Sequence, residues 1–85
     1  MGRLKIDLHP VRHDGRRIDA SLQEAMDRAV RDRLRCVEIV HGRGTGQLKK
    51  RVMRFLQRPD IKARYHRMEK DVKNPGRVFV HFRHG

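Results

Sequence analysis

Eighty-five residues make one small domain that buries about 60–65% of its unfolded surface, which leaves no room for a second domain or a deep cofactor cavity. Twenty-two Lys and Arg oppose 10 Asp and Glu, a formal charge of +12; self-repulsion on that scale is best tolerated beside a polyanion, so DNA and/or RNA is the expected partner. No apolar run approaches the roughly 18 residues of a membrane span, and the start MGRLKIDLHP has neither the core of a secretion signal nor, with Ile6 where Ser or Thr is wanted, a myristoylation site.

RLKIDLH, residues 3 to 9, alternates apolar Leu4, Ile6 and Leu8 with polar Arg3, Lys5, Asp7 and His9. That period of two predicts a strand with one buried face. Asp7 and His9 then share the polar face at its carboxyl end. Residues 10 to 19 read as a loop, because Pro10 interrupts a ladder and Asp14-Gly15 signals a turn. Arg12, His13, Arg16 and Arg17 make this loop basic, suited either to solvent or to a nucleic-acid backbone.

Ser21-x-x-Glu24 has the spacing of a capping box. Leu22, Ala25, Met26, Ala29, Val30 and Leu34 follow at helical spacing and predict an amphipathic helix over about 20 to 34. Residues 36 to 41, CVEIVH, predict a short buried strand. Its lone Cys36 cannot form an internal disulfide and suits a reducing cytoplasm. Leu48, Val52, Phe55 and Leu56 mark a second helix, 46 to 57, that stops before Pro59. Residues 61 to 68 are a weaker strand candidate, 68 to 76 a polar hairpin or loop with an Asn-Pro-Gly turn, and 77 to 83 a strand. The order β-α-β-α-β-β implies a right-handed crossover and a parallel first strand pair. The expected architecture is a two-layer α/β sandwich, a mixed four-stranded sheet with two helices on one face.

Ligands of open α/β sheets gather beyond the carboxyl ends of parallel strands. His9 ends the first strand and His41 the second, so neighbouring strands would bring both imidazoles to one rim, with Asp7 one pleat behind. The loop Gly42-Arg43-Gly44-Thr45-Gly46 feeds straight into the second helix. Glycines let a backbone approach a ligand, and a helix start offers unpaired N–H groups and a positive dipole end. Arg43, Lys49 and Lys50 add charge. These parts suit one phosphate of a polymer. GRGTGQLKK satisfies neither the Walker pattern nor G-x-G-x-x-G, because Gln47 takes the third glycine position. A plain strand-to-helix turn would explain one or two of the glycines but not all three.

No histidine or cysteine pattern suits zinc, and His66 and His81 read as ordinary sheet residues. His84 sits at poor spacing from His81. The sequence specifies no cofactor; Mg2+, held in part by Asp7 and suited to activating a water on DNA, is the one it leaves room for. The only aromatics are Phe55, Tyr65, Phe79 and Phe82, too few for a base-stacking platform.

With IDLHP near the start and IVHGRGTGQLKKRV in the middle, the chain resembles the Smr (small MutS-related) domain family over residues 4 to 83. The resemblance implies a fold similar to the C-terminal domain of bacterial initiation factor three, and binding, often with nicking or cleavage, of DNA or RNA. It carries the family's first block onto Asp7 and His9. The second block falls on His41, Gly42, Gly44, Thr45, Gly46 and Leu48, followed by the basic Lys49. Pro10 departs from the glycine usual there, Ile6 from the usual leucine, and the loop before the first helix is longer.

The expected function is a nucleic-acid-binding domain with endonuclease activity, in which Asp7, His9 and His41 are catalytic. Gly42, Arg43, Gly44, Thr45, Gly46, Lys49, Lys50, Arg12, Arg16 and Arg17 would hold the backbone. The alternative is a binding module without chemistry that delivers nucleic acid to a protein partner or acts within a larger parent protein.

Overall fold

In the computed structural model, which describes residues 2–44 and 46–83, four strands form one sheet in the order β1-β2-β4-β3. β1 (Arg3–Asp7) runs parallel to β2 (Cys36–Val40), with Ile6 beside Ile39 and Asp7 beside Val40. β4 (Arg77–His81) is antiparallel to β2, and β3 (Arg67–Lys70) is antiparallel to β4 at the edge. The alternation expected from the sequence holds. Leu4 and Ile6, Val37 and Ile39, and Val78 and Val80 face the helical layer and join its core, while Arg3, Lys5 and Asp7 are exposed on the other side.

The helical layer is α1 (Gly15–Arg31) and α2 (Gln47–Gln57), extended by a single turn, α3 (Pro59–Lys62). Ile18, Leu22, Ala25, Met26 and Ala29 form the buried stripe of α1, and Val52, Phe55 and Leu56 that of α2. Fully burying a side chain the size of Val, Leu, Ile, Met or Phe is worth about 1.5–3 kcal/mol, and the alanines contribute less. Asp19 and Arg51 tie the two helices together at the surface through paired bonds of 3.0 and 2.9 Å. Tyr65 donates its hydroxyl to Leu56 O at 2.8 Å and so satisfies a carbonyl in the last turn of α2. The two-layer mixed α/β sandwich is the expected architecture.

Three local expectations are corrected. The first helix starts at Gly15, within the stretch expected to be a loop, and Ser21 lies inside it. Asp14 is the N-cap, its carboxylate accepting from Arg16 N at 3.1 Å and Arg17 N at 3.3 Å. Ile18 then joins the apolar stripe one turn earlier. The strand expected at 61 to 68 does not form there. Pro59 and Asp60 instead open α3, which buries Ile61, and β3 occupies residues 67–70. Proline fits the first turn of a helix because it lacks only an N–H that would be unpaired anyway. The first strand ends at Asp7 rather than His9.

Asp14→Ala should cost about 1 kcal/mol in urea denaturation, the usual cost of an N-cap. Ser21→Ala should change stability by less than about 0.5 kcal/mol. A larger loss at Ser21 would contradict this helix start.

Candidate active site

His9 is placed by what ends β1. Leu8 extends the ladder by one bond, its N–H donating to Val40 O at 2.9 Å. Its backbone then leaves the extended region (φ −88°, ψ −4°), and His9–Val11 close a 3-10 turn. Pro10 fits this turn for the reason given for Pro59. Asp7 Oδ1 accepts the backbone N–H of His9 at 2.9 Å, and Arg12 Nη1 donates to His9 O at 2.8 Å. Asp7 and His9 therefore do not share a strand face, because the pleat is broken between them. Asp7 fixes the backbone of His9 and does not line the cleft into which the histidine faces.

His41 follows the last residue of β2 and is buried, with 4% of its surface exposed. The backbone N–H groups of His41 and Gly42 both donate to Gly76 O, at 2.9 Å each. Gly42 has φ +77°, a left-handed conformation that favours glycine. The side chain adds a third tie, Nδ1 lying 2.8 Å from Gly42 O. A carbonyl can only accept, so Nδ1 carries the proton and the lone pair of the neutral ring falls on Nε2. That nitrogen is enclosed and has no hydrogen-bond partner. Burial pushes the His41 pKa below its usual value, and the charge of Lys49 lowers it further against the opposing bond to Gly42 O.

The two imidazoles line one cleft of about 460 Å³. Arg12 and His13, beside His9, also line it. So do Gly42, Arg43, Gly44 and Gly46 from the loop, and Gln47, Leu48 and Lys49 from the first turn of α2. No carboxylate does. Gly46 (φ +86°) precedes the helix without a side-chain cap, and the first helical bond runs from Lys50 N to Gly46 O at 2.9 Å. The amides of Leu48 and Lys49 thus lack intrahelical partners, the usual condition of a helix start. The Gly42 N–H, by contrast, is committed to Gly76 and cannot serve a ligand.

The other expected residues are dispersed. Thr45 and His84 lie outside the described residues. Lys50 lines an adjoining depression rather than this cleft. Arg16 and Arg17 stand exposed in the first turn of α1, with Arg17 Nε 3.7 Å from Asp14. His81 and His66 are engaged by Glu69 and Arg83. Among the described residues no three His, Cys, Asp or Glu side chains gather as a metal site. With Asp7 turned to the His9 backbone, the residues present do not fit a Mg2+ ion.

Gly76 went unseen as a site residue. Its bonds to residues 41 and 42 join segments more than thirty positions apart. The one local sign was the Asn74-Pro75-Gly76 turn, in which Asn74 Oδ1 accepts Gly76 N at 3.1 Å.

The fold is shared with the crystal structure of the Smr domain of Thermus thermophilus MutS2. The TM-score is 0.73 and the identity 17%, over 98% of this chain and 99% of that one. A curated relative, Endonuclease MutS2 of Gemmatimonas aurantiaca, is 39% identical over 54 residues, which is 64% of this chain but 6% of the relative. The chain thus spans a small fraction of that protein's length. The family model of the Smr domain matches residues 6–83, and on that match, over nearly its whole length, the chain belongs to the Smr domain family.

Proposed function

We propose that this Smr domain grips the backbone of DNA or RNA in the histidine cleft and cleaves it as an endonuclease. The observation that carries this reading is the convergence of two imidazoles, a glycine loop, a helix start and the cations Arg12, Arg43 and Lys49 on one acid-free cleft. Amides and cations there would stabilise charge on the phosphorus oxygens. The name of the curated relative, an endonuclease, agrees with it. By the same likeness the domain acts within a larger protein or beside a protein partner.

Cleavage needs one proton taken from the attacking oxygen and one given to the leaving oxygen. His41, held neutral with its lone pair on Nε2, is the acceptor. His9, exposed and lining the same cleft, is the donor. Asp7 positions His9 through the backbone bond. The attacking group is a 2′-hydroxyl in RNA or a water in DNA.

One observation favours a second reading, binding without chemistry. His41 Nε2 is enclosed, so it meets a substrate only after the groups around it shift. Without that shift the cleft holds a phosphate and presents it to a partner.

Cleavage of single-stranded RNA, nicked DNA and supercoiled plasmid by the purified domain separates the two. His9→Ala and His41→Ala should each lower cleavage by about 100-fold or more, with binding changed only a few-fold. Asp7→Ala should reduce the rate while His9 itself remains. Activity unaltered in all three variants would reject the catalytic scheme and leave binding alone.

Burial of His41 also has a stability signature. An unfolded imidazole titrates near 6.5, and in the fold the value is lower. Between the two values the unfolded chain binds more protons, so stability rises with pH. The contribution is whole above about pH 6.5 and is lost as the pH falls through the folded value. Urea denaturation from neutral to acidic pH should show a steeper loss for the wild type than for His41→Asn. Equal slopes would contradict a buried neutral His41.

A further inference from the structure

The cleft continues past the histidines. A second depression, about 290 Å³, lies between the start of α1 and the flank of α2, where Gly15, Lys50, Arg51 and Arg54 line it. It shares Arg12, His13, Gln47 and Leu48 with the first, so the two form one groove along α2. No carboxylate lines either part. The sequence is free of Asp and Glu from residue 39 to residue 59, which covers all of α2. A solvated helix face of ordinary composition would mix the two signs.

One cation in the groove is held in place. Arg51 donates from Nε and Nη2 to the two oxygens of Asp19, which leaves Nη1 to face a ligand. Its guanidinium packs against Gly15, where an added Cβ would come within 2.8 Å of Nη2. A guanidinium oriented by a carboxylate is prepared for a phosphate, since its ordering is complete before the ligand arrives. Arg54 and Lys50, by contrast, have no carboxylate partner among the described residues.

We infer that a single polynucleotide strand lies along α2, with one backbone phosphate at the glycine loop and another between Arg51 and Arg54 beside Gly15. This inference rests on the cleft reading above and extends it from one phosphate to a strand. Eleven residues of helix span about 16 Å at 1.5 Å per residue. A single phosphate group cannot span that length, whereas a strand with several backbone phosphates can. The ligand is therefore an oligonucleotide rather than a mononucleotide.

Anisotropy titrations with single-stranded DNA and RNA test this, using oligomers of about 12 and about 2 nucleotides. Removing both Lys50 and Arg54 (Lys50→Gln with Arg54→Gln) should weaken binding of the long oligomers at least about 10-fold near 0.1 M salt. It should also flatten the log–log salt slope by roughly 1.4, two contacts at about 0.7 each. The short oligomers should bind as before. Lys62→Gln with Lys70→Gln, which removes the same charge elsewhere, should have a smaller effect. Gly15→Ala moves the Arg51 guanidinium without removing charge and should weaken the long oligomers several-fold. A Lys50/Arg54 variant no weaker than the Lys62/Lys70 control, with Lys49→Gln still impaired, overturns the groove and leaves the cleft standing. A wild-type domain that binds no oligomer of either length overturns both.

Discussion

Two amides sharing one carbonyl oxygen set the shape of the site. His41 and Gly42 both donate to Gly76 O, and this shared acceptor decides where the chain goes as it leaves β2. The Nδ1 bond back to Gly42 O closes the exit further, and the glycine loop departs from there toward α2. The acceptor is itself held from several sides. Asp71 Oδ1 accepts from Lys73 N and Asn74 N, and Asn74 Oδ1 from Gly76 N. Arg77 bridges Asp71 to Glu38, which is buried on the sheet face away from the helices. A Cβ on Gly76 would fall 3.4 Å from the Gly42 backbone and 3.2 Å from Asn74 Oδ1, so close packing favours glycine there.

Charge is distributed as unevenly as polarity. Most carboxylates are already matched by a neighbouring cation. Asp27 is bonded to Arg64, Asp32 lies near Arg28 and Arg31, and Asp60 is bonded to Arg58. Exposed pairs of this kind add little stability. Cations outside these pairs include Arg43, Lys49, Lys50 and Arg54 at the glycine loop and α2, and others such as Lys5, Lys62 and Lys70 elsewhere on the surface.

The sequence made most of the frame legible because the core obeys two periodicities. Val78, Val80 and Phe82 are buried as their alternation required, and the helical stripe of α2 is Val52, Phe55 and Leu56. The errors arose where two local signals competed. Ser21-x-x-Glu24 matched a capping box, yet Asp14 caps the helix and Ile18 supplies the apolar contact that extends it. Residues 61 to 68 contain β-compatible side chains, but Pro59 and Asp60 start a helical turn first. At the site, the strand ends and the glycine loop were readable because each is a local pattern. Three features were not. Alternation alone cannot show that Leu8 leaves the extended region. It cannot show that the Gly42 amide is used internally, or that Arg51 and Gly15 meet across two helices.

The shared acceptor on Gly76 also bears on the order of folding. His9 lies between β1 and α1 and His41 just after β2, but the carbonyl that shapes the glycine loop comes from the β3–β4 hairpin, near residue 76. Strand, helix and strand can assemble before that hairpin docks, yet the loop then has no fixed exit from β2. Without the hairpin in place, His9, His13 and His41 are all present in the chain but the glycine loop lacks its anchoring carbonyl. The geometry of the site therefore depends on the docking of the last strand pair.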